Sequence, residues 1–286
     1  MIELRSFAKI NLSIDLVGKR DDGYHLLRTV MQTVSLCDFV RLERIEQGIE
    51  ISCNRKYIPT DERNIMYKVA YAFFNKTGIE GGVRIRLKKH IPCGAGLGGG
   101  SSNGAAVLDG LCELYNYPMT ADEKNALTAG IGADIPFFFY GGSALCEGIG
   151  EIVTPLPTMP SCRIVIAKPP KSLSTAAIFG SELTKQAFGG NSADSVVEGM
   201  KNGSLSVITE NAQNALEPAS IECCKKIQEI KDVLDSCGAS LSMMSGSGSA
   251  VYGVFRSQKL ANRAYLKLKS KYRETYIAKP VKTETE

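Results

Sequence analysis

Pro92-Cys93-Gly94-Ala95-Gly96-Leu97-Gly98-Gly99-Gly100-Ser101-Ser102-Asn103 places five glycines in seven consecutive positions, between a segment that alternates apolar and basic residues and one with helical spacing. Residues without Cβ let backbone N–H groups turn inward and approach a polyanion. The helix that follows adds its own unpaired N–H groups and the positive end of its dipole. The stretch is therefore a candidate phosphate cradle. Two familiar nucleotide signatures fit it only in part. Gly94, Gly96 and Gly99 match G-x-G-x-x-G, but the dinucleotide version needs a buried parallel strand before it and an acidic residue on a second strand about 20 residues on. Here Val83-Arg84-Ile85-Arg86-Leu87-Lys88 has the alternation of a sheet with one wet face, and residues 109–115 still read as helix. Gly94 and Gly99 also fit G-x-x-x-x-G with Ser101 at the Ser/Thr position, yet Gly100 stands where the Walker lysine belongs. A triphosphate held here takes its ammonium from elsewhere in the chain.

Residues 2–16 alternate, with Ile2, Leu4, Ser6, Ala8, Ile10, Leu12, Ile14 and Leu16 on one side and Glu3, Arg5, Phe7, Lys9, Asn11, Ser13 and Asp15 on the other. This predicts a long strand with one buried face, and a strand lysine such as Lys9 is by default exposed. Asp21-Asp22-Gly23 marks a turn before another extended stretch, and a strand is expected around 49–53. Asn64 is placed to cap a helix with Ile65, Met66, Val69, Phe73 and Phe74 on one stripe, closed by Gly78. A helix from about Ser102 and a capping box at Thr120-Ala121-Asp122-Glu123 come next. Asp134 then leads the apolar run Ile135-Pro136-Phe137-Phe138-Phe139-Tyr140. It reads equally as a helix cap with proline in the first turn and as a functional carboxylate with a cationic partner.

Pro155, Pro157 and Pro160 cluster as a boundary, which divides the chain into domains at 1–155 and 156–286. The second has a strand over 163–167, a Gly-rich loop at 189–191, and helices over 205–216, 221–237 and 260–272. Its other glycine turn, Ser245-Gly246-Ser247-Gly248-Ser249-Ala250, lies between two strands. Strands and helices with antiparallel features make an α+β protein.

At 286 residues, 44% apolar and 22% charged, the chain has ordinary globular usage. The net charge of +4 is dispersed, with no run of five like charges and no basic patch interleaved with aromatics, which disfavours nucleic acid as a partner. Nine cysteines without a C-x-x-C pair read as buried thiols of a reducing compartment, and two histidines make a His-based zinc site unattractive. No apolar stretch approaches 18 residues and no secretory pattern opens the chain, so a soluble, cytoplasmic protein without a membrane partner is expected. Oligomeric state has no signature here.

Ala8-Lys9-Ile10-Asn11-Leu12, the glycine stretch at 92–103 and the 245–250 turn together, in this order and spacing, resemble the GHMP kinases over nearly the whole length. Gly23-Tyr24-His25 and Gly132-Ala133-Asp134-Ile135-Pro136-Phe137-Phe138 narrow the resemblance to the branch acting on a cytidine diphosphate-linked methylerythritol. The resemblance implies a two-domain fold, with an N-terminal domain like domain 2 of ribosomal protein S5 and a ferredoxin-like C-terminal domain. It also implies ATP over Pro92, Cys93, Gly94, Ala95, Gly96, Leu97, Gly98, Gly99, Gly100, Ser101 and Ser102, with Mg²⁺ as companion and Ser101 or Ser102 against Mg²⁺ or the β-phosphate. Lys9 and Asp134 match the family's catalytic lysine and aspartate, expected to meet across an interdomain cleft. Asn11, Tyr24, His25, Thr175 and Phe179 match its substrate contacts, with Tyr24 and Phe179 on the two faces of the cytosine. The implied activity is ATP-dependent phosphorylation of the substrate's 2-hydroxyl. The alternatives are another small-molecule kinase of the superfamily (homoserine, mevalonate or sugar), a nucleotide-binding regulator without turnover, and, more remotely, a dinucleotide-dependent oxidoreductase.

Overall fold

Alternation at the start and 3.6-residue periodicity further on become a mixture of long strands and short helices. The computed structural model describes residues 1–282. In chain order it contains β1 (Ile2–Lys19), β2 (His25–Ile45), β3 (Gly48–Cys53), α1 (Ile65–Thr77), β4 (Gly82–Lys88), α2 (Gly99–Leu114), α3 (Ala121–Thr128), α4 (Ile135–Tyr140), β5 (Ser143–Gly148), β6 (Ile152–Leu156) and β7 (Arg163–Lys168). Then follow α5 (Thr175–Phe179), α6 (Glu182–Lys185), α7 (Ser192–Lys201), α8 (Leu205–Asn211), α9 (Glu217–Cys223), α10 (Lys226–Ser236), β8 (Leu241–Met244), β9 (Val251–Phe255), α11 (Gln258–Lys269) and β10 (Glu274–Ala278). The backbone divides into two compact units. The first comprises Met1–Ala8, Cys37–Ile91 and Gly98–Phe139; the second comprises Lys9–Leu36, Pro92–Leu97 and the chain from Tyr140 on.

In the first unit, β4 pairs antiparallel with the second half of β2, and β3 lies parallel to β4. Val83, Ile85 and Leu87 point into the core while Arg86 and Lys88 are exposed, as the alternation predicts. Met66, Val69 and Phe73 of α1 and Leu108 and Leu111 of α2 close over them. The helix ends follow their capping residues. Asn64 Oδ1 accepts from the Met66 N–H at 2.9 Å, Gly78 is left-handed at φ 66°, and Thr120 and Glu123 complete a reciprocal capping box.

In the second unit, four antiparallel strands lie in the order β10-β7-β9-β8. Ile227, Ile230 and Leu234 of α10 and Ala261, Ala264 and Leu268 of α11 pack with Val165, Ala167, Val251 and Phe255 of the sheet. The first half of β2 pairs with β5, and β5 with β6.

Several expectations are corrected. The polar side of β1 is not wet: Lys9, Asn11, Ser13 and Asp15 are each at most 3% exposed. Every one has a partner, as burial requires. Ser13 Oγ accepts from the Val30 N–H at 3.0 Å, and Asp15 accepts from Ser192 Oγ at 2.6 Å and the Ala193 N–H at 2.8 Å, capping α7. Helix α2 begins at Gly99, three residues before the expected start. The helix expected over 205–216 stops at Asn211 because Ala212 turns extended, which frees Asn214 to donate to the carbonyls of Met244 and Gly246, both at 2.9 Å. The helix expected over 221–237 is broken at Cys224, whose φ of −147° is extended and whose side chain is buried in the core. Helix α7 and strand β10 are additions that the sequence reading lacks. No described helix is long and apolar enough to cross a membrane, and none of the nine cysteines is in a disulfide.

Candidate active site

The glycine stretch owes its shape to three residues at alternate positions. Gly94, Gly96 and Gly98 have φ of 57°, 73° and 66°, a region that costs L-residues about 1–2 kcal/mol. The residues between them, Ala95 and Leu97, are buried. Left-handed glycines at every second position are the pattern of a backbone nest, in which successive N–H groups face one concavity and receive an anion. Gly98 is also the N-cap of α2 and makes no side-chain cap hydrogen bond, and the first-turn N–H groups of Gly99, Gly100 and Ser101 are among those a helix leaves without an intrahelical partner. Pro92 is buried, Cys93 half-buried, and Gly94 and Gly100 exposed. The two serines differ: Ser102 is buried and its Oγ accepts from Ser6 Oγ at 2.7 Å, whereas Ser101 is half-buried, its Oγ 3.5 Å from where a Cβ on Gly132 would sit.

In the first unit, Asp134 stands half-buried one residue before α4, whose second residue is Pro136. The proline occupies the first turn of the helix, as expected.

In the second unit, the other glycine turn backs the first. Ser245 Oγ donates to the Gly96 carbonyl at 2.9 Å, the Ala250 N–H to the Ala95 carbonyl at 3.1 Å, and the Lys9 N–H to the Leu97 carbonyl at 3.0 Å. The backbones approach so closely that a Cβ on Gly96 would run into the Ser245 carbonyl. Lys9, buried, donates from Nζ to Asn11 Oδ1 at 2.5 Å, and Asn11 Nδ2 donates to Thr29 Oγ1 at 2.8 Å, whose hydroxyl donates in turn to the Ser13 carbonyl at 2.5 Å. Tyr252 OH donates to the Asn11 carbonyl at 2.8 Å. The ammonium is thus aimed by a chain of buried groups drawn from β1, β2 and β9. Thr29, Asn214, Ser245 and Tyr252 are missing from the sequence-based set; only the second glycine turn signalled any of them.

Tyr24 and His25 leave the hairpin at Asp21-Asp22-Gly23, where Asp22 Oδ1 accepts from the Tyr24 N–H at 3.1 Å. Tyr24 is 61% exposed. The His25 ring lies 5.2 Å from Phe179 and 5.7 Å from Phe188, the latter pair stacked at 27°. Phe188 was not anticipated; the Gly189 N–H donates to the Leu16 carbonyl at 3.0 Å beside it. Thr175, exposed at the start of α5, shares a 2.8 Å hydrogen bond with Ser247 of the glycine turn. Burial first, and Lys19 second, hold the His25 imidazole below its ordinary value. The folded chain therefore binds fewer protons at His25 than the unfolded chain does, so this contribution to stability is whole above about pH 6.5 and declines as pH falls through the folded value. An NMR titration is expected to place the His25 midpoint below that of an unstructured histidine; a midpoint at or above it contradicts this arrangement.

Residues 64–142 match the family model described as GHMP kinases N terminal domain, and residues 196–274 the one described as GHMP kinases C terminal. A 4-diphosphocytidyl-2-C-methyl-D-erythritol kinase of Clostridium botulinum (strain Alaska E43 / Type E3) is 40% identical over 281 residues, covering 98% of this chain and 100% of that protein. One of the same name from Clostridium novyi (strain NT) is 41% identical over 277 residues, covering 97% and 99%. Among solved structures, a 4-(cytidine 5'-diphospho)-2C-methyl-D-erythritol kinase superposes with a TM-score of 0.84 at 31% identity, covering 98% of this chain and 99% of that one. Homoserine kinase from Cytophaga hutchinsonii shares the fold alone, with a TM-score of 0.77 at 19% identity over 99% and 95% of the two chains. Matched on both halves and end to end, with the two-domain fold of its relatives, the chain belongs to the GHMP kinases, in their 4-diphosphocytidyl-2-C-methyl-D-erythritol kinase family.

Proposed function

We propose that the chain transfers the γ-phosphoryl group of ATP to the 2-hydroxyl of 4-diphosphocytidyl-2-C-methyl-D-erythritol. The observation that carries this reading is the end-to-end likeness to kinases named for that substrate, at 40% identity. The left-handed glycines at 94, 96 and 98, running into an uncapped 16-residue helix, support the placement of the triphosphate over residues 92–102. Asp134 takes the proton of the 2-hydroxyl as its oxygen bonds to the γ-phosphorus and the bond to the β,γ-bridging oxygen breaks, leaving ADP. Lys9, steered by Asn11, offsets the charge that develops on the attacking oxygen. Mg²⁺ supplies neutralisation of the phosphate charge when bound. A hydroxyl with phosphate oxygens is a hard donor set that suits it, and Ser101 is better placed for it than Ser102, which is buried and already accepts from Ser6.

Asn11, Tyr24, His25, Thr175 and Phe179 take the alcohol substrate. The exposed Tyr24 ring offers a face to a pyrimidine, and a neutral His25 carries one donor and one acceptor for the edge of the base. Base–aromatic stacking is worth about 1–3 kcal/mol, so Tyr24→Ala is expected to raise KM for the cytidine substrate roughly 5- to 150-fold, with kcat for bound substrate much less affected. Exposure of Tyr24 means that its loss leaves the melting temperature nearly unchanged. ADP release assayed with the cytidine substrate, homoserine and mevalonate in parallel is the companion test. Turnover of homoserine or mevalonate in preference, or an unaltered KM in Tyr24→Ala, contradicts the cytidine assignment.

A further inference from the structure

A buried polar cluster in the first unit reaches Ser102 at the end of the glycine stretch, and its other members have no role in the chemistry above. Lys89, Asp38, Asn103, Ser6 and Ser102 are all at most 3% exposed. Lys89 Nζ donates to Asp38 Oδ2 and, at 3.0 Å, to Asn103 Oδ1. Asn103 Nδ2 donates to Asp38 Oδ2 at 2.9 Å and to Ser6 Oγ at 2.8 Å, and Ser6 donates on to Ser102. The other carboxylate oxygen, Asp38 Oδ1, accepts from the N–H groups of His90 and Ile91 at 2.7 and 2.8 Å. Ser102 and Asn103 belong to the opening of α2. The Lys89 ammonium runs directly beneath that opening, since a Cβ on Gly99 would come within 2.7 Å of Nζ.

Burying a lysine and an aspartate costs several kcal/mol per ion, and well-packed apolar side chains of similar volume would serve stability as well or better. What such a pair supplies instead is a defined geometry. Lys89 Nζ and Asn103 Nδ2 each donate to two acceptors, so rotation of α2 about its axis, or a shift along it, breaks several of these bonds at once. Because Asp38 neutralises it, Lys89 supplies orientation here and not a charge for the ligand.

We propose that the Lys89–Asp38–Asn103–Ser6 network is the positioning element of the polyphosphate cradle, fixing the first turn of α2 so that the N–H groups of Gly99, Gly100 and Ser101 are aimed before the nucleotide arrives. This rests on the reading of residues 92–102 as the ATP loop. The Lys89→Met/Asp38→Leu double variant removes both charges while keeping volume. In calorimetric titration its Kd for ATP is expected to rise at least tenfold, while KM for the cytidine substrate stays within twofold of wild type. An ATP Kd within twofold of wild type overturns the proposal. Should the double variant not fold, Ser6→Ala cuts the link to Ser102 with the loss of one hydroxyl; at least threefold weaker ATP binding supports the proposal and unchanged binding overturns it. Gly100→Asp, whose new Cβ meets only Ile65 Cδ1 at 3.5 Å, serves as control by placing a carboxylate where the phosphates are read to lie. Undiminished ATP binding in that variant removes the loop reading itself. Lost binding there with intact binding in the network variants keeps the loop and removes only the network's role.

Discussion

Asp134→Asn is expected to lower kcat by about 10²–10⁴-fold, the range that a positioned general base contributes. Asparagine keeps the size of the side chain and can still accept a hydrogen bond, but it cannot take a proton. Asp134 is half-buried at the start of a short helix, and the substitution leaves the apolar residues that follow, Ile135, Pro136 and Phe137, in their buried positions. ATP binding, which is read to depend on residues 92–102, should therefore stay close to wild type, as should the cytidine substrate's KM. Steady-state kinetics combined with ATP titration separate the cases. A kcat within threefold of wild type refutes the base assignment, and joint loss of ATP affinity and kcat points to a disturbed fold.

Gly96→Val is the other large effect, and its cause is steric. The position has a φ of 73°, and a Cβ there would occupy the space of the Ser245 carbonyl. A β-branched side chain meets both penalties: strain of about 1–2 kcal/mol in the left-handed region and displacement of a backbone that has no flexible end to move. The Ser245 hydroxyl bond to Gly96 and the Ala250 bond to Ala95 are lost with it. We expect no measurable ATP binding and a melting temperature lowered by several degrees. Near-normal ATP affinity in a folded Gly96→Val protein refutes the backing of one glycine turn by the other.

Local signals in the chain were sufficient where a structural decision is itself local. The Asn64 cap, the left-handed Gly78, the Thr120–Glu123 box and the alternation of β4 all appear as read, because each is set by residues within a turn of one another. Decisions that depend on distant partners were not legible. Period 2 placed Lys9, Asn11, Ser13 and Asp15 on one side of β1, but that side is dry because Thr29, Val30 and Ser192 come to it from elsewhere in the sequence. Lys89 reads as one more basic residue after β4, and only the fold brings Asp38, 51 residues away, to meet it. Cys224 interrupts an apolar pattern that continues through it, so the break between α9 and α10 left no mark on periodicity. Phe188 carried no signal either, since its neighbours Leu16 and His25 lie more than 160 residues before it.

For the site, the glycine loop reads as a candidate phosphate cradle from composition alone, while Lys9 and Asp134 are assigned roles only through the family resemblance. Buried Lys9, aimed by Asn11 and Thr29, now has a physical reason to be something other than a surface charge. The most direct test of the central claim is product analysis. Incubated with Mg-ATP and 4-diphosphocytidyl-2-C-methyl-D-erythritol, the enzyme should yield stoichiometric ADP and one new phosphomonoester, with ³¹P–¹³C coupling in the NMR spectrum placing it on the 2-hydroxyl. Absence of a phosphomonoester, or its appearance on any other hydroxyl, contradicts the proposed reaction.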